Sequence, residues 1–216
     1  STPSSSPTDP TRFLKESDLP NMKTIFWAYN ILNFAPQLNQ HVSVGVGSVA
    51  VEKVPVVGTW FHKTLDLPTG EKTVVGLKGM RSWWSVDGKW AYDGSSEAMV
   101  GSTFAAAHGV KIGDALTLSR EGSEGNDGRE HIVQVVGIFH SSDDDDKAIF
   151  TSTSVLQEVT NLPDSVNYVE VKALTTPEND LARKVEKSPA SVSQTEWDTW
   201  YCTAYVSSIA YQIEEV

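Results

Sequence analysis

Cysteine, long apolar runs and basic residues are all scarce in this chain of 216 residues. The single cysteine, Cys202, rules out an internal disulfide framework and leaves the redox compartment open. A membrane-spanning helix needs a run of about 18 or more apolar residues, and the sequence contains none. Its most apolar segment, residues 25–35, is too short and contains two Asn residues.

The charge balance excludes two classes of partner. Lys and Arg number 17 against 28 Asp and Glu, which gives a formal net charge of −11 at pH 7. Nucleic-acid binding requires clustered basic residues, and those of this chain are scattered. The same deficit of positive charge disfavours docking to an anionic lipid surface.

Signature motifs of the common enzyme classes are also missing. The sequence has no GxSxG motif, and none of its five histidines belongs to an HExxH motif. The glycine-containing stretch VGVGS, residues 44–48, lacks the GK[ST] of a P-loop. Cys202 and a distant histidine together resemble a thiol enzyme only in residue type. We therefore expect no catalytic activity, and a freestanding extracellular enzyme is the less favoured alternative.

Hydrophobic periodicity predicts helix-bearing ends around a β-rich middle. Ile25, Tyr29 and Leu32 recur at helical spacing, which predicts a helix over 17–38 that Pro36 ends or kinks. Alternating segments predict two strands in 41–61 and further strands in 73–80, 115–120, 131–141, 147–152 and 165–174. Other helices are predicted over 102–108 and 153–161, and one opens at Thr176. The sum is an α+β fold.

Two glycine positions have a structural interpretation. Gly113 and Asp114 supply a tight turn that reverses the chain after the short helix over 102–108. Gly137 lies inside an apolar strand, which predicts a β-bulge or a close approach of another backbone segment. Neither position needs a chemical role.

Three segments in a fixed order resemble one protein family. They are AMVGSTFAAAHGVKIGDALTL (98–118), VVGIF (135–139) and IFTSTSVLQEVTNLPDSVNYVEVKA (149–173), with an acidic loop before the last. Together they are similar to the extracytoplasmic domains of MacB-type and FtsX-type ABC transporter permeases. The resemblance covers roughly residues 51–174.

The resemblance implies an architecture. We expect a split α/β, porter-like subdomain formed by residues 11–70 and 148–216, with an inserted β-rich subdomain over 71–147. Residues 1–10 are low in complexity and are interpreted as a disordered linker or an artificial edge of the chain. Because the chain does not begin with Met, we expect it to be a piece of a longer protein.

The resemblance also implies a function. Such domains are non-catalytic, lie at the extracytoplasmic face of the bacterial plasma membrane, and shift mechanically when the membrane helices move. ATP is hydrolysed by a separate cytoplasmic subunit or domain, which is one implied partner. An extracytoplasmic substrate-binding or adaptor protein is another.

A narrower likeness suggests a metal. Trp83 and Trp84, the segment 88–90 and the aromatic run 200–205 resemble a subgroup of these permeases found beside bacterial iron-uptake components. The alternative function is then a copper- or iron-binding domain of an importer, with His62, Met80, Met99 and His140 as candidate ligands. Their spacing gives no support for a site, so no cofactor is expected.

The run of four aspartates at 143–146, followed by Lys147, invites three interpretations. DDDDK is an enterokinase recognition sequence, but a cleavage tag belongs at a terminus and this run lies between two predicted strands. A calcium loop alternates its ligands, and four consecutive aspartates do not. We therefore predict a solvated acidic hairpin loop. Weak cation attraction together with His140 is the alternative.

Seven tryptophans are the last unusual feature. Trp83, Trp84 and Trp90 fall in one turn-rich segment and are candidates for binding a partner, although aromatic residues also commonly fill a core. Trp27 and Trp60 are assigned to the core. Consecutive residues of a strand point to opposite faces, so at least one of Trp83 and Trp84 is expected to be exposed.

Overall fold

The computed structural model describes residues 13–22, 31–66, 70–122 and 129–173. Within these ranges the strands are β1 (Leu14–Lys15), β2 (Ile31–Val46), β3 (Val49–Thr59), β4 (Lys63–Asp66), β5 (Lys72–Val75), β6 (Ser85–Gly88), β7 (Glu97–Gly101), β8 (Ala115–Arg120), β9 (His131–His140), β10 (Ile149–Ser152), β11 (Ser165–Val166) and β12 (Tyr168–Ala173). The α-helices are α1 (Ser102–His108) and α2 (Thr153–Thr160), and 3-10 turns cover Glu16–Met22, Leu77–Met80 and Asp144–Lys147. None of the helices in these ranges is long and apolar enough to cross a bilayer.

Six strands of the main sheet form a closed ring. Neighbours pair in the order β2, β3, β10, β7, β9 and β8, and β8 returns to pair with β2. The β3–β10 and β7–β9 pairs are parallel, and the other four pairs of the ring are antiparallel. β12 extends the sheet beyond β2, and β6 extends it beyond β9. The fold is therefore α+β, as predicted from the sequence.

One apolar cluster receives side chains from all six strands of the ring and from both α-helices. It contains Leu38, Val42, Val54, Val56, Val100, Phe104, Leu116, Leu118, Val133, Val135, Ile149, Val155 and Leu156, among others. A second cluster uses the opposite face of several of the same strands and contains Ala35, Val57, Met99, Phe139 and Phe150. The alternation follows from the two-residue repeat of a β-strand. The sheet is thus covered on both faces, and polar side chains reach the surface at its margins.

The prediction of a helix over 17–38 is wrong for most of those of its residues that the structure describes. Residues Glu16–Met22 form a 3-10 turn, and β2 begins at Ile31 and continues to Val46. Pro36 lies within β2 opposite Val169 of β12. The intervening residues 23–30, with Trp27, lie outside the described ranges, as do the helix predicted at Thr176 and residues 200–205.

Most of the other predicted elements are confirmed. Helix α1 ends at Gly109 in a left-handed conformation with φ of 66°, and a turn through Gly113 follows with φ of 96°. The Asp114 carboxylate accepts a hydrogen bond from the Lys111 backbone N–H at 2.8 Å, which fixes that turn. Over 73–80 the strand is shorter than predicted, because β5 ends at Val75 and a 3-10 turn follows.

Gly137 shows both features that the sequence predicted. The β7–β9 register shifts at this point, and a Cβ atom on Gly137 would lie 2.4 Å from the carbonyl oxygen of Lys89. Position 137 therefore requires a glycine, because any side chain would collide with the backbone of Lys89.

The aspartate run connects two strands that do not pair with each other. β9 and β10 are separated in the sheet by β7, so the prediction of a hairpin loop is wrong. The chain crosses the end of β7 through the 3-10 turn Asp144–Lys147. This crossing packs the aspartates against β7 and α1. The predicted division into subdomains stays a prediction, and strands from both of its parts join the ring.

Candidate functional site

The tryptophan segment follows the 3-10 turn Leu77–Met80 and divides into a buried and an exposed part. Trp84 is 7% exposed and stacks on Phe139 with ring centroids 3.9 Å apart. Trp90 stacks on Trp84 with ring centroids 5.6 Å apart, and it is half-buried. Trp83 is 56% exposed. One of the two consecutive tryptophans is thus exposed, as expected, but Trp83 lies in a turn before β6 and not in the strand on which the expectation rested. Trp60, assigned to the core, is buried.

Arg81 connects this segment to the far edge of the sheet. Its guanidinium forms a bidentate pair with Glu170 of β12, with both N···O distances 2.8 Å. The same guanidinium lies 5.2 Å from the ring centroid of Trp83 and 5.8 Å from that of Trp84. A planar guanidinium can pair with a carboxylate at its edge and with an aromatic ring at its face. Arg81 therefore holds the exposed Trp83 ring in place.

A hydrogen-bonded row of side chains continues from Glu170 along β2 and β12. Gln37 donates to Glu170 at 3.4 Å and accepts from the Tyr168 hydroxyl at 2.9 Å. Asn39 donates to the Tyr168 oxygen at 2.9 Å. Burial raises the pKa of Tyr168, and the negative charge of Glu170 adds to the increase. The phenol therefore stays a neutral donor. The row is rigid and polar.

The aspartate turn lies beside this row. Asp143 caps the turn by accepting from the backbone N–H of Asp145 at 2.9 Å. Asp146 accepts from the Ser141 backbone N–H at 2.6 Å and from the Ser102 hydroxyl at 2.8 Å. Burial alone would raise the pKa of Asp146, but these hydrogen bonds outweigh it and the pKa is lowered. Asp146 is thus a structural carboxylate that joins the turn to α1, and the prediction of a fully solvated loop does not hold for it.

Asp145 has the opposite electrostatic environment. Burial, together with the negative charge of Asp143, raises the pKa of its carboxyl to about 6. The positive charge of Arg81 opposes this shift, but Arg81 is itself paired with Glu170. Asp145 therefore carries a carboxylate that the surrounding protein does not fully compensate.

A cleft of about 850 Å³ separates the aspartate turn from the polar row. Its residues come from β2, β3, the aspartate turn and the start of β12, and they are Gln37, Asn39, Gln40, His41, Pro55, Val56, Val57, Asp144, Asp145, Lys147, Ala148, Asn167 and Tyr168. Ligand-binding pockets are commonly about 300–1,000 Å³ and combine apolar surface with a few polar groups, as this cleft does.

The candidate metal ligands have different environments. Met80 and Met99 are buried in the apolar cluster that contains Trp84 and Phe139, where their thioethers serve as packing groups. His62 is exposed, and the exposed His140 lies 3.4 Å from the Asp87 carboxylate. Within the described residues no group of three or more His, Cys, Asp and Glu side chains is arranged to hold a metal ion. The assignment of these four residues to a metal stays a prediction.

A serine, a histidine and a glutamate form a second arrangement that the sequence did not indicate. The Ser96 Oγ lies 2.9 Å from His131 Nε2, and His131 Nδ1 lies 3.1 Å from the Glu158 carboxylate. This is the connectivity of a catalytic triad. However, the Glu158 side chain is 66% exposed and Ser96 is exposed, so water weakens the effect of the carboxylate on the imidazole.

Sequence reasoning found Trp83 but missed the residues that position it. Arg81 and Glu170 are 89 positions apart, and Gln37 and Tyr168 are 131 apart. No local pattern announces such pairs. The alternation of Tyr168 and Glu170 with buried Val169 was the available signal, because it places both polar side chains on one face of β12.

Comparisons with known proteins give a likeness in structure alone. No protein-family model matches the chain, and no curated protein sequence matches it. The extracellular domain of the noncanonic ABC-type transporter YknZ from Gram-positive bacteria is 11% identical, with a TM-score of 0.52 over 83% of this chain and 79% of that one. The periplasmic region of MacB from Actinobacillus actinomycetemcomitans is 11% identical, with a TM-score of 0.50 over 94% of this chain and 83% of that one. At such identities the comparison establishes a shared fold.

Proposed function

We propose that this chain is a non-catalytic, extracytoplasmic domain of an ABC transporter permease subunit, which transmits motion and recognises a partner or substrate outside the membrane. The observation that carries the proposal is the structural likeness to the extracellular domain of YknZ and the periplasmic region of MacB. The three sequence segments that resemble this family agree with that likeness.

The architecture suits a mechanical role. The closed ring of strands, with apolar clusters on both faces, forms a stiff body that can transmit a displacement without local unfolding. The proposal includes an ATPase subunit in the cytoplasm as the source of the motion. It also keeps the division into residues 11–70 with 148–216 and residues 71–147, and the two parts would move together because both contribute strands to the ring.

The recognition surface is proposed to centre on Trp83. A large exposed aromatic ring that is held by a buried ion pair loses little side-chain entropy on binding, which is a property of residues that dominate interface energies. Trp83 has this arrangement through Arg81 and Glu170. Trp84 and Trp90 act beneath it as packing residues that support the segment.

Photo-cross-linking tests this surface directly. A photoreactive phenylalanine analogue replaces Trp83 in the full-length protein in its native membrane, and the matched control replaces Ile132, which is exposed to a similar degree. We expect a protein adduct at position 83 that is absent at position 132 and changes in yield when ATP is depleted. An equal yield at both positions, or none at 83, would contradict the proposed surface.

The Ser96, His131 and Glu158 arrangement has the connectivity of a hydrolase triad, and it makes the proposed lack of catalysis testable. Because two of its three side chains are exposed, we expect the chain to hydrolyse p-nitrophenyl acetate no faster than Ser96→Ala does. Both proteins are assayed at equal concentration, with His131→Gln as a control for general imidazole catalysis. A rate at least about 100-fold above that of the Ser96→Ala variant would establish a nucleophilic serine and overturn the non-catalytic assignment.

A further inference from the structure

The cleft beside the aspartate turn is built unlike an ordinary surface depression. Pro55, Val57 and Ala148 are among its apolar lining residues, and Pro55 is the most exposed of the three, while Tyr168 and Asp145 are among its polar ones. The Tyr168 ring is fixed by hydrogen bonds to Gln37 and Asn39. The position of these walls is therefore determined before any ligand arrives, which reduces the entropy lost on binding.

Among the charged groups that line the cleft, the Asp145 carboxylate has no ion-pair partner within the described residues. Lys147 lies 3.8 Å from the Asp144 carboxylate, so this cation and this anion offset each other. The Asp145 carboxylate accepts no hydrogen bond and joins no ion pair within the part of the chain that the structure describes. It is half-buried, and water therefore compensates it only in part. A positively charged group that enters the cleft could form an ion pair with the Asp145 carboxylate.

We propose that the cleft binds an alkylammonium or alkylguanidinium group, with the Asp145 carboxylate as its acceptor and the partly exposed Pro55 in contact with its methylene chain. Side chains of lysine and arginine have this composition, and so do free polyamines. A charged head with an apolar stem matches a cleft in which a carboxylate adjoins apolar surface. The proposal stands whether or not the chain belongs to a transporter.

The ionisation of Asp145 supports the assignment and gives it a signature. A cation stabilises the ionised carboxylate, so binding should weaken as pH falls below the pKa of about 6 that burial and Asp143 give to Asp145. The other charged or titratable groups that face it are Asp143, Asp144, Arg81 and Glu170, and His41, Lys147 and Tyr168 also line the cleft or adjoin it. Variants must therefore separate Asp145 from these neighbours.

The Asp145→Asn variant is expected to fold. A folded-state pKa of about 6, above the ordinary value of 3.8, means that the favourable contribution of Asp145 to stability is present below about pH 4 and is lost as pH rises through about 6. Removal of the charge at pH 7.5 should therefore leave the protein as stable as the wild type or more so. Circular dichroism during thermal unfolding verifies this before any binding experiment.

The test is an NMR chemical-shift titration of the whole chain with two probes, spermidine and the blocked tripeptide acetyl-Ala-Arg-Ala-amide. We expect at least one probe to shift the amides of Asn39, Asp145 and Tyr168 at pH 7.5, with affinity about tenfold lower in Asp145→Asn. Asp144→Asn, which removes the same charge from an exposed position, should lower it less than about threefold. Tighter binding of the tripeptide indicates a protein side chain as the natural ligand, and tighter binding of spermidine indicates a free polyamine.

The pH arm distinguishes a specific site from general attraction to an acidic protein. At pH 5.0 wild type should bind about fivefold more weakly than at pH 7.5, and Asp144→Asn should show a similar or smaller loss because Asp144 helps to raise the pKa of Asp145, whereas Asp145→Asn should show little change. Absence of shifts with both probes would overturn the proposal. So would equal losses of affinity in the two variants.

Discussion

Arg81→Met is expected to lower the free energy of unfolding by about 3 kcal/mol at pH 7.5, because it leaves the Glu170 carboxylate without its bidentate partner. The side chains of Arg81 and Glu170 are only 8% and 22% exposed, so water can replace little of the lost interaction. The effect should persist in 0.5 M NaCl, since screening acts mainly on exposed pairs. Urea denaturation at both salt concentrations measures it.

The controls for this variant separate the ion pair from the packing of the arginine stem. Glu170→Gln keeps the shape of the partner, removes its charge and replaces one of its two acceptor oxygens by an amide donor. In a double-mutant cycle, Arg81→Met and Glu170→Gln together should destabilise the protein by clearly less than the sum of the two single changes. Additive losses, or a loss below about 1 kcal/mol in Arg81→Met, would show that Arg81 does not hold the site together.

Gly101→Ala is expected to have a comparable or larger effect, about 3 kcal/mol or more, or to prevent folding. A Cβ atom at this position would lie 2.1 Å from the carbonyl oxygen of Asp146, a backbone atom that cannot rotate away. The Gly101 backbone has φ of −64°, which any residue adopts, so the whole cost is steric. Thermal unfolding followed by circular dichroism measures the change.

Gly109→Ala is the matched comparison. Gly109 has φ of 66° but nothing lies within 4 Å of a Cβ atom there, so the substitution costs only the strain of a left-handed residue, about 1 kcal/mol. The expected order is therefore the reverse of what backbone dihedral angles alone would give. Equal losses at the two positions would mean that the aspartate turn does not press on the start of α1.

Local patterns predicted elements well where one period fitted the apolar residues. Helix α1 and strands β8 and β9 agree with their predicted ranges to within a residue. In residues 31–38 two periods competed. Phe34, Ala35 and Leu38 satisfy helical spacing, yet they lie in an extended strand. Leu38 and Ala35 pack into the two apolar clusters described above, and Phe34 packs into a third with Trp60 and Val169. Tertiary burial on both faces of β2 decided the outcome, and Pro36 is tolerated because β2 pairs there with β12 only, before its pairing with β3 begins at Gln37.

The order of strands in the sheet was beyond prediction for a physical reason. The closing of the ring depends on β8 pairing with β2 along Val42 to Val46, a contact between segments that no turn connects directly. The hairpin assigned to the aspartate run failed because β7 inserts between β9 and β10. Pairing energy is similar for many strand combinations, and only the complete set of buried faces selects one.

The candidate site was predictable in one residue and hidden in the rest. The exposure of one of Trp83 and Trp84 was predicted from strand alternation, and it is observed although Trp83 lies in a turn and not in a strand. The raised pKa of Asp145 could not be predicted from a run of four identical aspartates. Its burial and its distance from the cations differ from those of Asp144 and Asp146 only in the folded structure. Four aspartates in a row thus have different roles: one caps the turn, one pairs with Lys147, one lines the cleft uncompensated, and one joins the turn to α1.

The proposal that this chain is the outer domain of a membrane permease is tested most directly by labelling intact cells. In the full-length native protein, Cys202 is replaced by serine and a cysteine is introduced at Ala106, which is exposed on α1. We expect a membrane-impermeant maleimide to modify this cysteine in intact cells, while the protein stays in the membrane fraction after washing with carbonate at high pH. Modification only after the membrane is permeabilised, or release of the protein as a water-soluble product, would contradict the proposed function.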